Sequence, residues 1–254
     1  MDGYGPSTYG DRFADVYDEW YEDAFDTEAA VARVAELAGT GRPDGTAGPV
    51  LELGCGSGRL AVPLAARGIE TWAIDASAAM VARLRARPGG DRVHAVVGDM
   101  AELDLPGAPP FAVVLCAFNT FFNLTSTDAQ RRCLARVAER LAPDGRLVLE
   151  AFVPHDGGDD EPRDAVEVKR IALDEVVLMV SRVDPATRTI VGQHVQLRDG
   201  GVRLRPSVLH YAAPETLDEL AAEAGLHLVE RVSTWRGEAF TSNASSHVST
   251  YALR

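Results

Sequence analysis

The chain has 254 residues, of which 46% are apolar, and this is long enough for one large α/β domain with a substantial core. Its formal net charge of −13 would repel a phosphate backbone, so the composition argues against a nucleic-acid partner. The longest uncharged apolar run, residues 111–118, is too short to cross a bilayer, and the acidic N-terminus differs from a signal peptide, so we expect a cytoplasmic protein with no membrane partner.

The first 40 residues predict a helical segment that is rich in acidic side chains. Apolar residues recur there at steps of three and four, as an amphipathic helix requires: Phe13, Val16, Tyr17, Trp20 and Tyr21. A Gly- and Pro-rich linker follows at residues 39–49. We therefore expect an N-terminal helical lid, residues 1–40, and a second domain, residues 41–254.

Short apolar runs alternate with helical segments from residue 50 to residue 152. The runs have the length and composition of buried strands and lie at residues 50–53, 71–74, 93–97, 111–118 and 146–152. The segments between them have helical periodicity. This alternation predicts an α/β fold with a doubly wound, mostly parallel sheet that is covered by helices on both faces.

The chain departs from this alternation after residue 152. Between residues 166 and 211, strand-like runs separated by turn signals predict about three antiparallel strands, which we interpret as an insertion into the second domain. One more helix at residues 213–225 and two closing strands at 226–235 and 247–254 complete a seven-stranded main sheet.

The stretch VLELGCGSGRL, residues 50–60, breaks from an apolar run into a loop with three glycines at alternate positions: Gly54, Gly56 and Gly58. Glycines between a strand and a helix have no side chain, so the backbone N–H groups there can approach a ligand closely. A dinucleotide fingerprint would need its third glycine where Arg59 stands. Glu52 precedes the loop, and Asp75 ends the second strand, where an acid can bind ribose hydroxyls.

The unit ELGCGSG resembles the first motif of the class I S-adenosylmethionine-dependent methyltransferases, an acid-x-G-x-G-x-G segment between a strand and a loop. The resemblance continues through GDM at residues 98–100, where this family places an acid beside the adenine amino group, and through CAFNTFFNL at residues 116–124. One departure is Ala112, where the family often has a structural aspartate. The resemblance implies a Rossmann-like methyltransferase fold and S-adenosyl-L-methionine as the cofactor.

The same resemblance implies a set of cofactor contacts that is spread over five segments of the chain. The expected cofactor-binding residues are Tyr17, Glu52, Gly54, Gly56, Gly58, Asp75, Ala76, Met80, Asp99, Met100, Ala117, Asn119 and Phe122. For Met80 the alternative is a place in the core, and for Asn119 and Phe122 it is helix capping or core packing.

The stretch ADVYDEWY, residues 14–21, is similar to the opening helix of the amino-sugar N-methyltransferases of macrolide biosynthesis, which also carry an antiparallel insertion. By that resemblance Tyr17 borders the methionine end of the cofactor, and Tyr21 faces the transferring methyl group. Both tyrosines also lie on an apolar helical stripe, for which core packing is the alternative.

Histidine is the residue type that could take a proton from a hydroxyl or ammonium acceptor near neutral pH. His155 and His210 fall on the side of the sheet where the parallel strands end, so we expect them, with Tyr21, to be the candidate catalytic residues. The alternatives are a solvated loop for His155 and packing beneath the insertion for His210. His247 is a weaker candidate, and a structural role fits His194.

Cysteines offer neither a metal site nor a disulfide framework in this chain. Cys55, Cys116 and Cys133 are far apart in the sequence, without a C-x-x-C pair. We therefore expect no bound metal and a reducing compartment.

The expected function is S-adenosylmethionine-dependent methyl transfer to an N or O nucleophile of a small metabolite, as a tailoring step in natural-product biosynthesis. One alternative is a cyclase or pericyclase that uses the methyltransferase fold and binds the cofactor without consuming it. A dinucleotide-dependent oxidoreductase is disfavoured by Arg59. The sequence leaves the oligomeric state open, with a homodimer among the options.

Overall fold

The computed structural model describes residues 1–21, 25–39, 46–154 and 161–254. Its helices are α1 (Thr8–Phe13), α2 (Tyr17–Tyr21), α3 (Thr27–Gly39), α4 (Ala61–Ala66), α5 (Ala78–Ala86), α6 (Thr127–Arg140) and α7 (Pro214–Glu223). Its strands are β1 (Val50–Leu53), β2 (Thr71–Asp75), β3 (Val93–Val97), β4 (Phe111–Cys116), β5 (Leu141–Phe152), β6 (Arg163–Ile171), β7 (Glu175–Asp184), β8 (Thr189–Arg198), β9 (Gly201–His210), β10 (Leu226–Val232) and β11 (Ser246–Leu253).

The larger of two sheets has seven strands in the order β10-β11-β5-β4-β1-β2-β3. Five neighbouring strands, β5, β4, β1, β2 and β3, are parallel to one another. Strand β11 lies antiparallel to both β5 and β10. Helices α3 and α4 cover one face, and α6 and α7 cover the other, so β1 and most of β4 are buried on both sides. The predicted doubly wound, mostly parallel sheet is confirmed.

Local signals set the ends of the longer helices. The Ser126 side chain accepts a hydrogen bond from the Ala129 N–H and begins α6, while Pro214 occupies the first turn of α7. Helix α6 ends at Arg140, and two residues separate it from the helix-breaking sequence Pro143-Asp144-Gly145. Leu141 instead pairs with Phe111 and is buried, so β5 begins five residues earlier than the sequence predicts.

A second sheet is antiparallel and has the order β6-β7-β8-β9. It contains four strands rather than about three, because residues 163–171 also form a paired strand with β7. Helix α1 contacts both β9 and α5, so the N-terminal helices lie between this inserted sheet and the main sheet. His194 in β8 packs against the rings of Phe13 and Trp20, in the structural role expected for it.

The described helices include none that is long and apolar enough to span a bilayer. All three cysteines are buried and carry free thiols. The division of the chain at residue 40 and the limits of the insertion at residues 166 and 211 stay predictions.

Candidate functional site

A cavity of about 290 Å³ opens at the carboxyl ends of β1, β2 and β3. The strand order reverses between β1 and β4, and ligands of doubly wound sheets bind at such a point. Eight of the expected cofactor residues line the cavity: Tyr17, Gly54, Gly56, Asp75, Ala76, Met80, Asp99 and Met100. The structure thus brings together residues from the N-terminal helices, the glycine loop and two strand tips.

The glycine loop has a shape that side chains would prevent. Gly54 has φ +62°, and a Cβ atom there would lie 2.2 Å from the Cγ2 of Thr120. Gly56 also has positive φ, and its N–H donates to the Oδ2 of Asp75 at 2.8 Å. The loop is therefore pressed against the segment after β4 and tied to the tip of β2.

Two carboxylates stand at the strand tips that border the cavity. Asp75 accepts hydrogen bonds from the N–H groups of Gly56 and Ser77, and burial raises its pKa although both bonds favour the charged form. The Oδ1 of Asp99 accepts a hydrogen bond from the Ala101 N–H at 2.8 Å. Both acids are therefore held in place by backbone donors at the edge of the cavity.

Glu52 does not belong to the cavity wall that the described residues form. Its buried Oε2 accepts a hydrogen bond from the N–H of Ala61, at the first turn of α4. Burial raises the pKa of Glu52 to about 8, against the attraction of Arg59. The acid of the first motif therefore joins β1 to the next helix, beneath the loop.

Four other expected cofactor residues do not line the cavity that the described residues form. Gly58 is packed against Leu84, Ala117 lies in the core beside α3, and Phe122 packs edge-on against Phe152. The Asn119 Oδ1 accepts a hydrogen bond from the Phe152 N–H at 2.6 Å. Phe122 therefore has the core contacts of its packing alternative, whereas the Asn119 side chain makes no cap hydrogen bond to the short helix at residues 120–123. The expected cofactor contacts of both residues stay predictions.

A strained pair of residues follows β4. Phe118 and Asn119 both have left-handed backbone conformations, with φ of 53° and 60°. Glu150 holds this bend, because its Oε2 accepts a hydrogen bond from the Phe118 N–H at 2.7 Å and its carboxylate also bonds to the Trp235 side chain. Left-handed conformations at residues other than glycine cost about 1–2 kcal/mol each, and such strain clusters at functional sites.

Aromatic side chains gather between this bend and the N-terminal helices. The rings of Tyr17 and Tyr21 are 5.0 Å apart, and Tyr21 packs edge-on to Phe118 at 6.0 Å. The guanidinium of Arg59 stacks 3.7 Å from the ring of Phe25. We call Tyr17, Tyr21, Phe25 and Phe118 the aromatic wall.

The tyrosines of this region are neutral hydroxyls at pH 7. Burial raises the pKa of Tyr17 to about 12, although Arg59 opposes the rise, and burial also raises the pKa values of Tyr9 and Tyr21. The hydroxyls of Tyr9 and Tyr21 are hydrogen-bonded to each other. They can therefore donate hydrogen bonds, but they are poor bases.

Acidic residues of the N-terminal helices anchor those helices over the cavity. Asp11 accepts a hydrogen bond from the Ser77 hydroxyl at 2.6 Å. Asp18 accepts hydrogen bonds from the Ser57 hydroxyl and from Arg87. These acids bind other elements of the protein, and in this way fix Tyr9 and Tyr17 in the cavity wall.

None of the five histidines in the described ranges lines the cavity. The Nε2 of His210 forms a hydrogen bond with the Thr127 hydroxyl at 2.9 Å, and burial lowers its pKa. His247 is buried in β11 against Ser249, and burial lowers its pKa to about 4. His155 lies outside the described residues, so its expected role stays a prediction.

Several residues that line the cavity were not singled out from the sequence. Tyr4 and Tyr9 line the cavity from the N-terminal segment, and Thr120, Asn123 and Arg132 line it from the region after β4. Gly10 also lies there, and a Cβ atom at this position would be 2.4 Å from the Cβ of Ser77. A glycine inside an amphipathic helix was the available signal, since it often marks a close approach.

The donors and surfaces of the cavity fit an adenosine-containing cofactor. Asp75 and Asp99 supply carboxylate acceptors for ribose hydroxyls and an adenine amino group, while Met80 and Ile74 supply apolar surface for a base. Backbone of the glycine loop faces the same space. In the described ranges, no group of three or more His, Cys, Asp and Glu side chains is arranged to hold a metal.

Comparisons with known proteins agree with this reading of the cavity. A family model described as a methyltransferase domain matches residues 50–145. The CcbJ methyltransferase from Streptomyces caelestis has 39% sequence identity to this chain, a TM-score of 0.88, and an alignment that covers 98% of this chain and 99% of that one.

Two further relatives are more distant. The cypemycin N-terminal methyltransferase from Streptomyces is 28% identical over 242 residues, which is 90% of this chain and 94% of that protein. CalS10 from Micromonospora echinaspora, an amino pentose methyltransferase of calicheamicin biosynthesis that was solved with S-adenosylmethionine bound, is 26% identical, with a TM-score of 0.67 and coverage of 92% and 96%. The chain therefore belongs to the S-adenosylmethionine-dependent methyltransferases, and its cofactor is S-adenosylmethionine.

Proposed function

We propose that this enzyme methylates an amine nitrogen of a small natural-product intermediate. The observation that carries the proposal is the aromatic wall, in which Tyr17 lines the cofactor cavity and contacts Tyr21, and Tyr21 in turn contacts the strained Phe118. Aromatic faces attract cations, and both the sulfonium of the cofactor and a protonated amine substrate are cationic. A neutral alcohol gains no such attraction.

The lack of a nearby histidine among the described residues also supports nitrogen as the acceptor. A hydroxyl must lose its proton to a group with a pKa near neutrality as it attacks. The wall tyrosines have raised pKa values and stay protonated. An amine can bind as its cation and release that proton to solvent before the reaction, so it needs no base during the attack of its lone pair.

The names of the relatives support the same class of acceptor. CalS10 is named for an amino pentose, and the cypemycin enzyme is named for an N-terminus. Both names point to an acceptor with an amine, although one is a sugar and the other the start of a polypeptide. We accordingly propose a natural-product amine without choosing between these two carbon skeletons.

The protein contributes orientation and shielding to this reaction. Bound S-adenosylmethionine supplies an electrophilic methyl group on a sulfonium. Tyr17 and Tyr21 would orient the acceptor nitrogen toward that methyl group, and Phe118 would shield it from water. The nitrogen lone pair forms the new bond, the carbon–sulfur pair leaves on sulfur, and the product ammonium releases its proton to solvent. Holding two reactants in the reactive geometry supplies a large part of the rate enhancement in reactions of this kind.

The remaining expectations about the site and the cell stand as proposals. We propose that Asp75 and Asp99 bind the adenosine half of the cofactor and that residues 1–40 act as a lid over it. We also propose a cytoplasmic enzyme of antibiotic biosynthesis. Three buried free thiols support a reducing compartment.

Matched acceptors test the proposal directly. The enzyme is incubated with S-adenosylmethionine and with pairs of sugars or peptides that differ only in an amine or a hydroxyl at one position. We expect a methylated amine, with S-adenosylhomocysteine formed in equal amount, and a rate at least about 100-fold lower for the hydroxyl partner. Methylation of the hydroxyl compounds alone would refute the choice of nitrogen, and product without S-adenosylhomocysteine would indicate a cyclase.

A further inference from the structure

A second groove, of about 490 Å³, is lined by α1, α5 and β9. Helix α1 contacts both other elements, and it has residues in the walls of both spaces: Tyr9 and Gly10 line the cofactor cavity, whereas Asp11 and Arg12 line the groove. The two spaces share no lining residue among the described parts of the chain. Sites for small molecules have volumes of about 300–1,000 Å³, so the groove is large enough for a ligand of its own.

The groove is positively charged in a protein that is strongly acidic. Two carboxylates, those of Asp11 and Asp15, line it, together with four guanidinium groups from three elements: Arg12 of α1, Arg83 of α5, and Arg203 and Arg205 of β9. The net charge of the lining is thus +2, whereas the whole chain carries −13. A small anion is therefore attracted to this groove and repelled by most of the remaining surface. We call it the arginine groove.

The acidic side chains of the arginine groove already have partners within the protein. Asp15 binds Arg205 at 2.8 Å and also pairs with Arg203. The Oδ1 of Asp11 accepts a hydrogen bond from the Ser77 hydroxyl at 2.6 Å. These contacts neutralise part of the charge from β9 but none of the charge from the two helices.

The two helical arginines keep donors that a ligand could use. Arg12 is exposed and forms no ion pair or side-chain hydrogen bond with any described residue. Arg83 reaches only Asp18, at 3.5 Å, and Asp18 is bound more closely by Arg87. A guanidinium group presents a planar set of N–H donors that matches the oxygens of phosphate. Arg12 and Arg83 are therefore suited to bind one phosphate group from two sides.

We propose that the arginine groove binds a phosphate group, either free or as the monoester of a small molecule, between Arg12 of α1 and Arg83 of α5. Arg203 and Arg205 add to the positive potential of the groove, and Arg205 fixes its wall because its side chain is only 3% exposed. This proposal does not depend on which acceptor the enzyme methylates.

A phosphate held by both helices would favour the position in which α1 covers the cofactor. Gly10 of α1 packs closely on Ser77, the residue that caps α5, and the same contact brings Arg12 toward Arg83. Separation of α1 from α5 would open the cofactor cavity and divide the phosphate site. The two ligands should therefore bind cooperatively, and each should raise the affinity of the other by the same factor.

Phosphorus NMR titration of the full chain with inorganic phosphate, at constant ionic strength, tests the site. We expect saturable binding to the wild type with a dissociation constant below about 5 mM, raised at least about tenfold in Arg12→Gln/Arg83→Gln. The matched control is Arg67→Gln/Arg163→Gln, which removes the same two charges at exposed positions outside the groove. The control variant should bind phosphate as the wild type does.

Glucose 6-phosphate distinguishes the two sources of the phosphate group, with glucose as the uncharged control. Tighter binding of the monoester than of inorganic phosphate would identify a phosphorylated small molecule as the ligand, and equal or weaker binding would identify free phosphate. Binding of glucose with the same affinity as glucose 6-phosphate would overturn the proposal, because the phosphate group would then contribute nothing.

Calorimetric titration with S-adenosylhomocysteine, with and without saturating inorganic phosphate, measures the coupling. We expect phosphate to raise the affinity about fivefold in the wild type and in the control, but not in Arg12→Gln/Arg83→Gln. An affinity that phosphate leaves unchanged in the wild type would overturn the coupling between the groove and the cofactor cavity.

Thermal melts of each variant separate a lost site from a lost fold. If the Gln variant does not fold, Arg12→Lys/Arg83→Lys keeps both charges but loses the planar donors, and it should weaken phosphate binding about threefold. Phosphate binding that does not saturate in the wild type would overturn the proposal. So would an equal loss of phosphate affinity in the Gln variant and in the control.

Discussion

Arg205 and Asp15 form a two-point ion pair, in which two guanidinium nitrogens of Arg205 lie 2.8 and 3.0 Å from the Asp15 carboxylate oxygens. Arg205 comes from β9 of the inserted sheet, and its side chain is only 3% exposed. Asp15 lies between α1 and α2, whose tyrosines line the cofactor cavity. The pair therefore links the inserted sheet to the segment that covers the cavity.

Asp15→Ala is expected to lower the free energy of unfolding by about 1–3 kcal/mol, because Arg205 is left buried without its charged partner. Cofactor affinity should fall as well, since Tyr9 and Tyr17 belong to the same segment. Urea denaturation and calorimetric titration measure the two effects. Asp164→Ala is the matched control: Asp164 also binds an arginine, Arg182, at two points, but both side chains are 65% exposed, and its loss should cost less than about 1 kcal/mol.

Asp75→Ala should weaken S-adenosylmethionine binding by about 1–3 kcal/mol, a typical cost for a lost buried hydrogen-bond partner. The loss has two sources, because Asp75 borders the cavity and also holds the Gly56 N–H. Calorimetric titration with S-adenosylhomocysteine gives the affinity without turnover. Asp91→Ala, at an exposed turn before β3, is the control, and an affinity equal to wild type in Asp75→Ala would remove Asp75 from the site.

Tyr21→Phe and Tyr21→Ala separate the ring of Tyr21 from its hydroxyl. If the ring of Tyr21 attracts the cationic cofactor and amine, the Phe variant should keep most of the activity. The Ala variant should then have a lower kcat/KM, by a factor equivalent to about 0.5–2 kcal/mol of activation free energy. Steady-state kinetics with an amine acceptor that the wild-type enzyme methylates measure the difference. Equal losses in the two variants would show that the hydroxyl, which is bonded to Tyr9, carries the effect instead.

His210→Ala and His155→Ala test whether a histidine base is needed. We expect kcat to be unchanged in both variants, because positioning supplies the catalysis. His210→Ala should nevertheless lose about 1 kcal/mol of stability through its broken bond to Thr127. The kinetics are measured beside thermal melts. A fall in kcat with intact cofactor affinity in either variant would identify that histidine as a catalytic residue.

Glu52 makes the stability of the fold depend on pH. Its pKa is about 8 in the folded protein, because of burial, and about 4.3 in an unfolded chain. The folded state therefore keeps a proton that the unfolded state has released, and stability falls as the pH rises from about 4.3 to about 8. The slope is about 1.4 kcal/mol per pH unit in this range.

Glu52→Gln should remove this contribution while its side-chain oxygen still accepts from the Ala61 N–H. Between pH 6 and pH 8, wild type should lose about 2 kcal/mol of stability relative to the variant. Urea denaturation at three pH values within this range measures the difference. Parallel pH profiles for the two proteins would contradict a raised pKa at Glu52.

Elements defined by local patterns were predictable from the sequence. The runs that became β1 and β3 are apolar, short and bounded by turn residues, and their predicted bounds match the structure. Asp75 and Asp99 follow from the same logic, because a residue that ends a parallel strand must reach the ligand edge. These positions follow from the hydrophobic pattern of strands and helices along the chain, which can be read from a single sequence.

Elements defined by distant packing were not predictable. Gly10 reaches the cavity only because α1 packs on Ser77, which is far away in the chain. Glu52 was expected at the cofactor because its motif precedes the loop, but the spacing does not tell that its carboxylate turns toward the Ala61 N–H. The fourth inserted strand was missed because β6 is exposed throughout and lacks a burial pattern.

The close approach of Gly10 to Ser77 has a consequence for the enzyme's working cycle. Tyr4, Tyr9 and Tyr17 all come from the first 21 residues and cover the space between them and the glycine loop. If residues 1–40 act as the proposed lid, a nucleoside-sized molecule leaves that space when this segment moves, and the move breaks the Asp11 and Asp18 hydrogen bonds. On that proposal, we expect the N-terminal segment to set the rate at which spent cofactor is exchanged for fresh, independently of how fast the methyl group is transferred.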